Sequence, residues 1–380
     1  MARESSQKTV TVPHKPYNLM VNEQRINSCI YCKSTEDLCK SAHIIPRLFG
    51  KFKNQPTLKD SVCKSCDKEF GRCAEQLAKC GPEALFRYNL GLKGRHRRKS
   101  SSPFQRKHSG HGPIQIKVTI PYTNHQALVE PIGDGHNCRL LPQVIVIGKS
   151  GENDCVLLDN AKELTVDELR NLIYSANVSK PVQIRYVMLT DSEVDHIDSL
   201  LKKAKLHVSD EFDDNVKPFN RIVSAAGTLT YDKRYYRAIA KVAFHYYIEF
   251  NNFNHTGEEP FFEPLKRFIR YGEGQTKSFV CQQKGILIKD IERGWRPPTY
   301  GHIIVGSCAS QFIEVKIQFF LGPQYDPPIH TVKLGRKPLM IENTSMTFGH
   351  NYVYADDSAA ISGYDGTFHR LAVTERIIIP

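Results

Sequence analysis

The chain has no run of about 18 apolar residues, the length a membrane-spanning helix needs, so no membrane span is expected. Its start, MARESSQKTVTVPHK, lacks the apolar core of a secretion signal, and the expected location is the cytoplasm. No internal repeat is visible along the 380 residues, which leaves no case for a stacked-repeat architecture. The one tryptophan, Trp295, lies beside prolines in RGWRPP and reads as a packing residue. A disulfide framework is also missing. Of the 11 cysteines, seven fall between Cys29 and Cys80, and Cys138, Cys155, Cys281 and Cys308 are scattered singly, a pattern of reduced thiols. A hydrophobic content of 40% is enough to fill the cores of two or three domains.

Positive charge is plentiful and unevenly placed. Residues 1–110 hold 22 Lys+Arg against 9 Asp+Glu, whereas the remainder holds 30 against 31, so the whole net charge of +12 originates in the N-terminal third. Such a field attracts polyanions and makes their binding salt-dependent. Lys51, Lys53, Arg95, Arg97 and Arg98 are the expected phosphate contacts, being clustered and unmatched by acids. Nucleic acid is the expected partner.

Composition divides the chain. Residues 1–26 read as an extended arm, 27–93 as a cysteine-rich module, and 94–112 (GRHRRKSSSPFQRKHSGHG) as a basic linker. Residues 113–215 carry strand-like runs at 114–121, 143–148, 155–159 and 182–189, a capping box at Thr165 and Glu168, and a further helix after Ser192, which together make a small α/β region. Gly148-Lys149-Ser150 resembles the end of a phosphate loop, but Gln143 stands where that loop needs glycine, so the segment reads as a turn. Residues 216–380 read as an α+β region. It opens on an amphipathic helix capped by Asp232 with Tyr235, Ile239, Val242 and Tyr246 on one face, continues with a helix stopped at Gly272, and ends in strands.

Two Cys-x-x-Cys pairs, Cys29/Cys32 and Cys63/Cys66, have the spacing of a four-thiolate zinc site, each pair forming a tight knuckle that offers two sulfurs. Between them lies Ala42-His43-Ile44-Ile45-Pro46-Arg47, and a helix is expected just after Cys66, with Asp67 in its first turn and a stop at Gly81-Pro82. Cysteine pairs, histidine and proline in this order resemble the zinc-knuckle members of the HNH nucleases, the ββα-metal family, over roughly residues 27–80. The expected fold is therefore α+β: a zinc-knuckle ββα-metal module followed by a mixed α/β C-terminal region.

The resemblance implies roles. His43 would be the general base, Asp60 the residue steadying it, and Asp67 a ligand of a catalytic Mg²⁺ or Mn²⁺, with Glu75 further along the helix as a second ligand. Ala42 stands where the family usually carries Asp or Glu, and Asp67 replaces the usual Asn or His, returning the lost negative charge. The expected activity is metal-dependent endonucleolytic hydrolysis, with double-stranded DNA placed ahead of RNA. The length of the C-terminal part suggests a restriction or phage-defence effector, with that part serving recognition, a protein partner or homo-oligomerisation. The alternative is a zinc-dependent nucleic-acid-binding protein without catalysis.

Overall fold

The computed structural model describes residues 28–370 except 54, 91, 93–102, 104–113, 120–124, 133–136, 159, 180, 188, 207–224, 230–231, 252–254, 286, 288–300, 309–310, 323–326, 337–346 and 355–364. The N-terminal part begins with three short strands, β1 (Ala42–His43), β2 (Lys51–Lys53) and β3 (Thr57–Leu58). β1 and β3 pair antiparallel, with His43 opposite Thr57, while β2 leaves this pair for a larger sheet. Then α1 (Lys64–Cys80) begins, one turn earlier than the charge pattern predicts, because the Cys63 sulfur caps it by accepting from the Cys66 N–H. Its buried residues Cys66, Phe70, Cys73 and Leu77 recur at helical spacing. Gly81 ends α1 and Pro82 starts α2 (Pro82–Asn89). A side chain at Gly81 would collide with the ring of Tyr235, so only glycine allows this close approach.

The middle of the chain holds β4 (Ile114–Thr119), β5 (Gln126–Ile132), β6 (Asn137–Leu140), β7 (Gln143–Gly148), β8 (Asn153–Leu157), α3 (Val166–Ser175), β9 (Pro181–Val187) and α4 (Asp191–Lys203). It continues past the expected limit at 215, since β10 (Ala225–Leu229) pairs with β4 in the four-stranded sheet β10-β4-β5-β6. A three-stranded antiparallel sheet, β8-β7-β9, packs its Val144, Val146 and Ile184 against Leu169 and Ile173 of α3 and Ile197 and Leu201 of α4. Gln143 is fully buried and bonds the Leu128 N–H and the Leu128 and Leu141 carbonyls, and residues 148–151 close a turn between β7 and β8. The glycine-lysine-serine segment is thus a hairpin turn, as its sequence suggests.

The last part comprises α5 (Lys233–Phe250), α6 (Glu263–Tyr271), α7 (Thr276–Phe279), β11 (Val280–Gln283), β12 (Gly301–Ser307), β13 (Phe312–Leu321), β14 (Ile329–Arg336), β15 (Thr347–Tyr354) and β16 (Asp365–Arg370). The strands form the sheet β11-β14-β13-β12-β15-β16-β2, antiparallel except at the edge, where β2 joins β16 in parallel. Nearly every residue of α5 from Tyr235 to Tyr247 is buried, because α1 covers one side and the sheet another. Among the described residues no helix is long and apolar enough to cross a membrane.

The expected module boundary at residue 93 does not coincide with a boundary of the hydrophobic core. A single cluster joins Cys29, Phe49, Phe70 and Leu77 to Ile239, Phe244, Phe268, Ile304 and Phe319. Polar bonds reinforce it: buried Glu83 of α2 accepts from Tyr235 of α5 and pairs with buried His330 of β14 at 3.0 Å. The cysteine-rich module and the C-terminal sheet are therefore packed as one body.

Candidate metal centre and the histidine strand

Cys29, Cys32, Cys63 and Cys66 bring their sulfurs within 4.8 Å of one another. Two of the edges are 3.5 Å (Cys32 to Cys63) and 3.8 Å (Cys29 to Cys66). A tetrahedron with Zn–S bonds of about 2.3 Å has sulfur–sulfur edges of about 3.8 Å, so the four thiols fit zinc. Local backbone bonds build both knuckles. Lys33 takes a left-handed conformation and its N–H reaches the Cys29 carbonyl, while the second knuckle is the first turn of α1. Ile30 N–H to Ser61 O and Cys39 N–H to Val62 O hold the two knuckles together. The Cys66 thiol, 3.8 Å from the Cys29 sulfur, holds Cys29 down to about 4, so one thiolate is already favoured. The other described cysteines form no disulfide and stand outside this cluster, Cys73 being buried as a small apolar residue.

A cleft of about 380 Å³ borders the centre, lined by Ser65, Cys66, Glu69, Arg237, Arg270 and Tyr271. Burial lowers the Arg270 affinity for its proton, but the Cys66 and Cys32 sulfurs outweigh it and the net direction is upward. One guanidinium nitrogen of Arg270, Nη1, is buried without a hydrogen-bond partner. A metal-bound thiolate would supply the acceptor it lacks.

His43 is half-buried on β1. Its Nε2 accepts from Arg47 Nε at 2.6 Å, which assigns the ring proton to Nδ1, and Nδ1 is buried with no partner. Burial, then the Arg47 and Lys241 cations, push His43 down to about 4, so the imidazole is neutral at pH 7. Beneath the strand, the buried ammonium of Lys241 on α5 donates to the His43 carbonyl and, at 3.2 Å, to that of Ile44. Its own affinity is pushed down to about 8 by burial, against the pull of Asp67. One turn on, His245 is fully buried with neither ring nitrogen bonded, packed by Tyr31 and Phe70.

Asp67 lies half-buried in the first turn of α1, near enough to act on Lys241 and Cys39. Glu75 is exposed and pairs with Lys79 at 3.6 Å. Eight residues of helix separate the two carboxylates by about 12 Å along the axis, too far for both to sit about 2.1 Å from one ion. Asp60 follows β3 in a left-handed conformation, its N–H bonded to the Cys39 carbonyl, and the imidazole of His43 is held by Arg47 instead. Apart from the four cysteines, no group of three potential ligands converges among the described residues. Lys51 and Lys53 lie on the edge strand β2, and Arg95, Arg97 and Arg98 fall outside the described residues.

Sequence reasoning passed over Arg47, Lys241 and Arg270. A signal for Lys241 exists: Arg237, Lys241 and His245 recur every four residues on a helix that is otherwise apolar, and all three are buried facing the cysteine-rich module. No protein-family model, curated protein or solved structure matches the chain.

Proposed function

We propose that the protein is a metal-dependent endonuclease of the HNH type, acting on nucleic acid with DNA as the first substrate to test. The observation that carries this reading is the order of parts: an antiparallel strand pair bearing His43, followed directly by a helix bearing Asp67, with a four-cysteine cluster stapling the entry to both. In that reading His43 takes a proton from water, the hydroxide attacks phosphorus in line, and the bond to the leaving oxygen breaks, that oxygen being reprotonated from solvent. A neutral imidazole suits the task, because the base must be unprotonated at the start. Asp67 would hold Mg²⁺ or Mn²⁺, which accept one carboxylate completed by waters, and the ion would supply positive charge at the phosphate. The cysteine cluster would hold structural zinc. The N-terminal excess of positive charge supports a polyanionic substrate.

A second reading, a zinc-stabilised nucleic-acid-binding protein without catalysis, is favoured by Ala42. That position is fully buried, offers no ligand, and is not compensated by Glu75. Plasmid nicking by the purified protein with Mg²⁺ or Mn²⁺ separates the two. Cleavage abolished by His43→Ala and weakened by Asp67→Ala supports the nuclease; DNA retention with no cleavage under either metal supports the binder.

A further inference from the structure

The bond between Arg47 and His43 leaves the imidazole unable to act as a base. Of the two ring nitrogens, Nδ1 carries the proton, and the lone pair of Nε2 is taken by the Arg47 guanidinium. A water molecule can lose its proton to His43 only after that guanidinium moves away. Arg47 is well placed to move: it is exposed, stands on the short 3₁₀ turn Arg47–Phe49, and its side chain makes no other hydrogen bond or ion pair among the described residues. Only its Nε is used, so the two Nη groups remain for a second acceptor.

The imidazole offers the guanidinium one neutral acceptor atom, whereas a phosphate oxygen adds opposite charge and a second acceptor for a bidentate pair. Two cations, Arg47 and Lys241, already crowd His43. Lys241 is locked onto two carbonyls under the strand, whereas Arg47 is free to exchange partners. An incoming phosphodiester, with an anionic oxygen and the fork geometry that suits guanidinium, is the better acceptor.

We propose that Arg47 is the phosphate-contacting residue of the site, and that transfer of its guanidinium from His43 Nε2 to a phosphodiester oxygen of the bound strand releases His43 as the general base. This rests on the nuclease reading. It makes base activation conditional on substrate: the unloaded protein keeps its base capped, and the same movement that binds the phosphate uncaps it.

The test uses the full chain and a short DNA duplex, with an RNA duplex of the same sequence in parallel: binding is observed without divalent metal through the His43 ring nitrogens and the Arg47 Nε–H by ¹⁵N NMR, and cleavage is assayed separately with Mg²⁺ or Mn²⁺ added. Addition of a duplex that binds should shift His43 Nε2 and Arg47 Nε together in the wild type. In Arg47→Met the His43 resonance should begin at the released position and move little, duplex affinity should fall several-fold with a salt slope smaller by about one ion pair, and cleavage should fall by about 10²-fold. Duplex binding that leaves the Arg47–His43 bond intact, or an unchanged affinity and salt slope in Arg47→Met, overturns the proposal while the nuclease reading stands. A wild type that neither binds nor cuts either duplex overturns the nuclease reading itself.

Discussion

The ammonium of Lys241 is bonded to the main chain of His43 across 198 residues of sequence. It also reaches the next carbonyl, Ile44, so a side chain from the C-terminal region fixes the peptide plane on which the candidate base is mounted. Lys241→Met should leave both carbonyls buried without a donor, a loss on the order of 2 kcal/mol after the relief of removing a buried charge. It should also raise the His43 pKa, because one of the two cations that depress it is gone. Urea unfolding and the NMR titration of His43 read the two effects separately; an unshifted His43 midpoint would mean that Lys241 does not act on the imidazole.

Metal removal should be felt beyond the knuckles. Since Cys29, Cys63 and Cys66 belong to the same core as α5 and the seven-stranded sheet, Cys63→Ser or chelation should lower the thermal midpoint of that entire body in one transition. Hydrogen exchange along α5 is the check. Unchanged protection of residues 235–247 after zinc loss would show that the module unfolds alone.

Arg270 should matter to the metal rather than to the fold. Arg270→Gln removes the cation beside Cys32 and Cys66, and zinc affinity should drop by about tenfold, as for other groups that support metal ligands from behind. Competition with a chromophoric chelator measures this. Equal affinities in variant and wild type would leave the unpartnered nitrogen of Arg270 unexplained.

Acid should destabilise the protein through its buried histidines. His302 is held down to about 3 by burial and His43 to about 4, against an ordinary value of 6.5. Above pH 6.5 both folded and unfolded states are neutral at these sites; below it the unfolded chain binds protons that the folded chain refuses, so stability falls until the folded pKa values are reached. At pH 5 the loss should be about 2 kcal/mol for His302 and less for half-buried His43. Denaturant midpoints at pH 7 and pH 5 give the difference, and a stability that rises on acidification would reverse the assignment.

Local chemistry made much of this legible in advance. The capping box at Thr165 and Glu168, the Asp232 cap, the left-handed stop at Gly272 and the strand over 143–148 all stand where short-range rules put them. The cysteine spacing likewise announced its cluster. What stayed hidden depends on distant pairing: Lys241 under His43, β10 beside β4, and β2 beside β16 have no local signature. The periodicity of α5 is plain in the sequence, but its strong apolar pattern masks a buried cationic stripe whose polar partners lie far away in the chain. Glu75 shares α1 with Asp67, and the rise of that helix is what separates the two carboxylates.

The parallel pairing of β2 with β16 has a bearing on how the chain is made. Lys51–Lys53, only eight residues beyond His43, find their partners at Asp365, Gly366 and Thr367. During synthesis the histidine segment therefore waits for residues 365–367 to leave the ribosome before its flank can be closed, and a product terminated anywhere before residue 365 lacks that closure. Protease sensitivity of the 43–57 segment in chains stalled at increasing lengths should fall only once residues 365–367 have emerged, so that the flank of the site is closed by a segment made more than 300 residues after it.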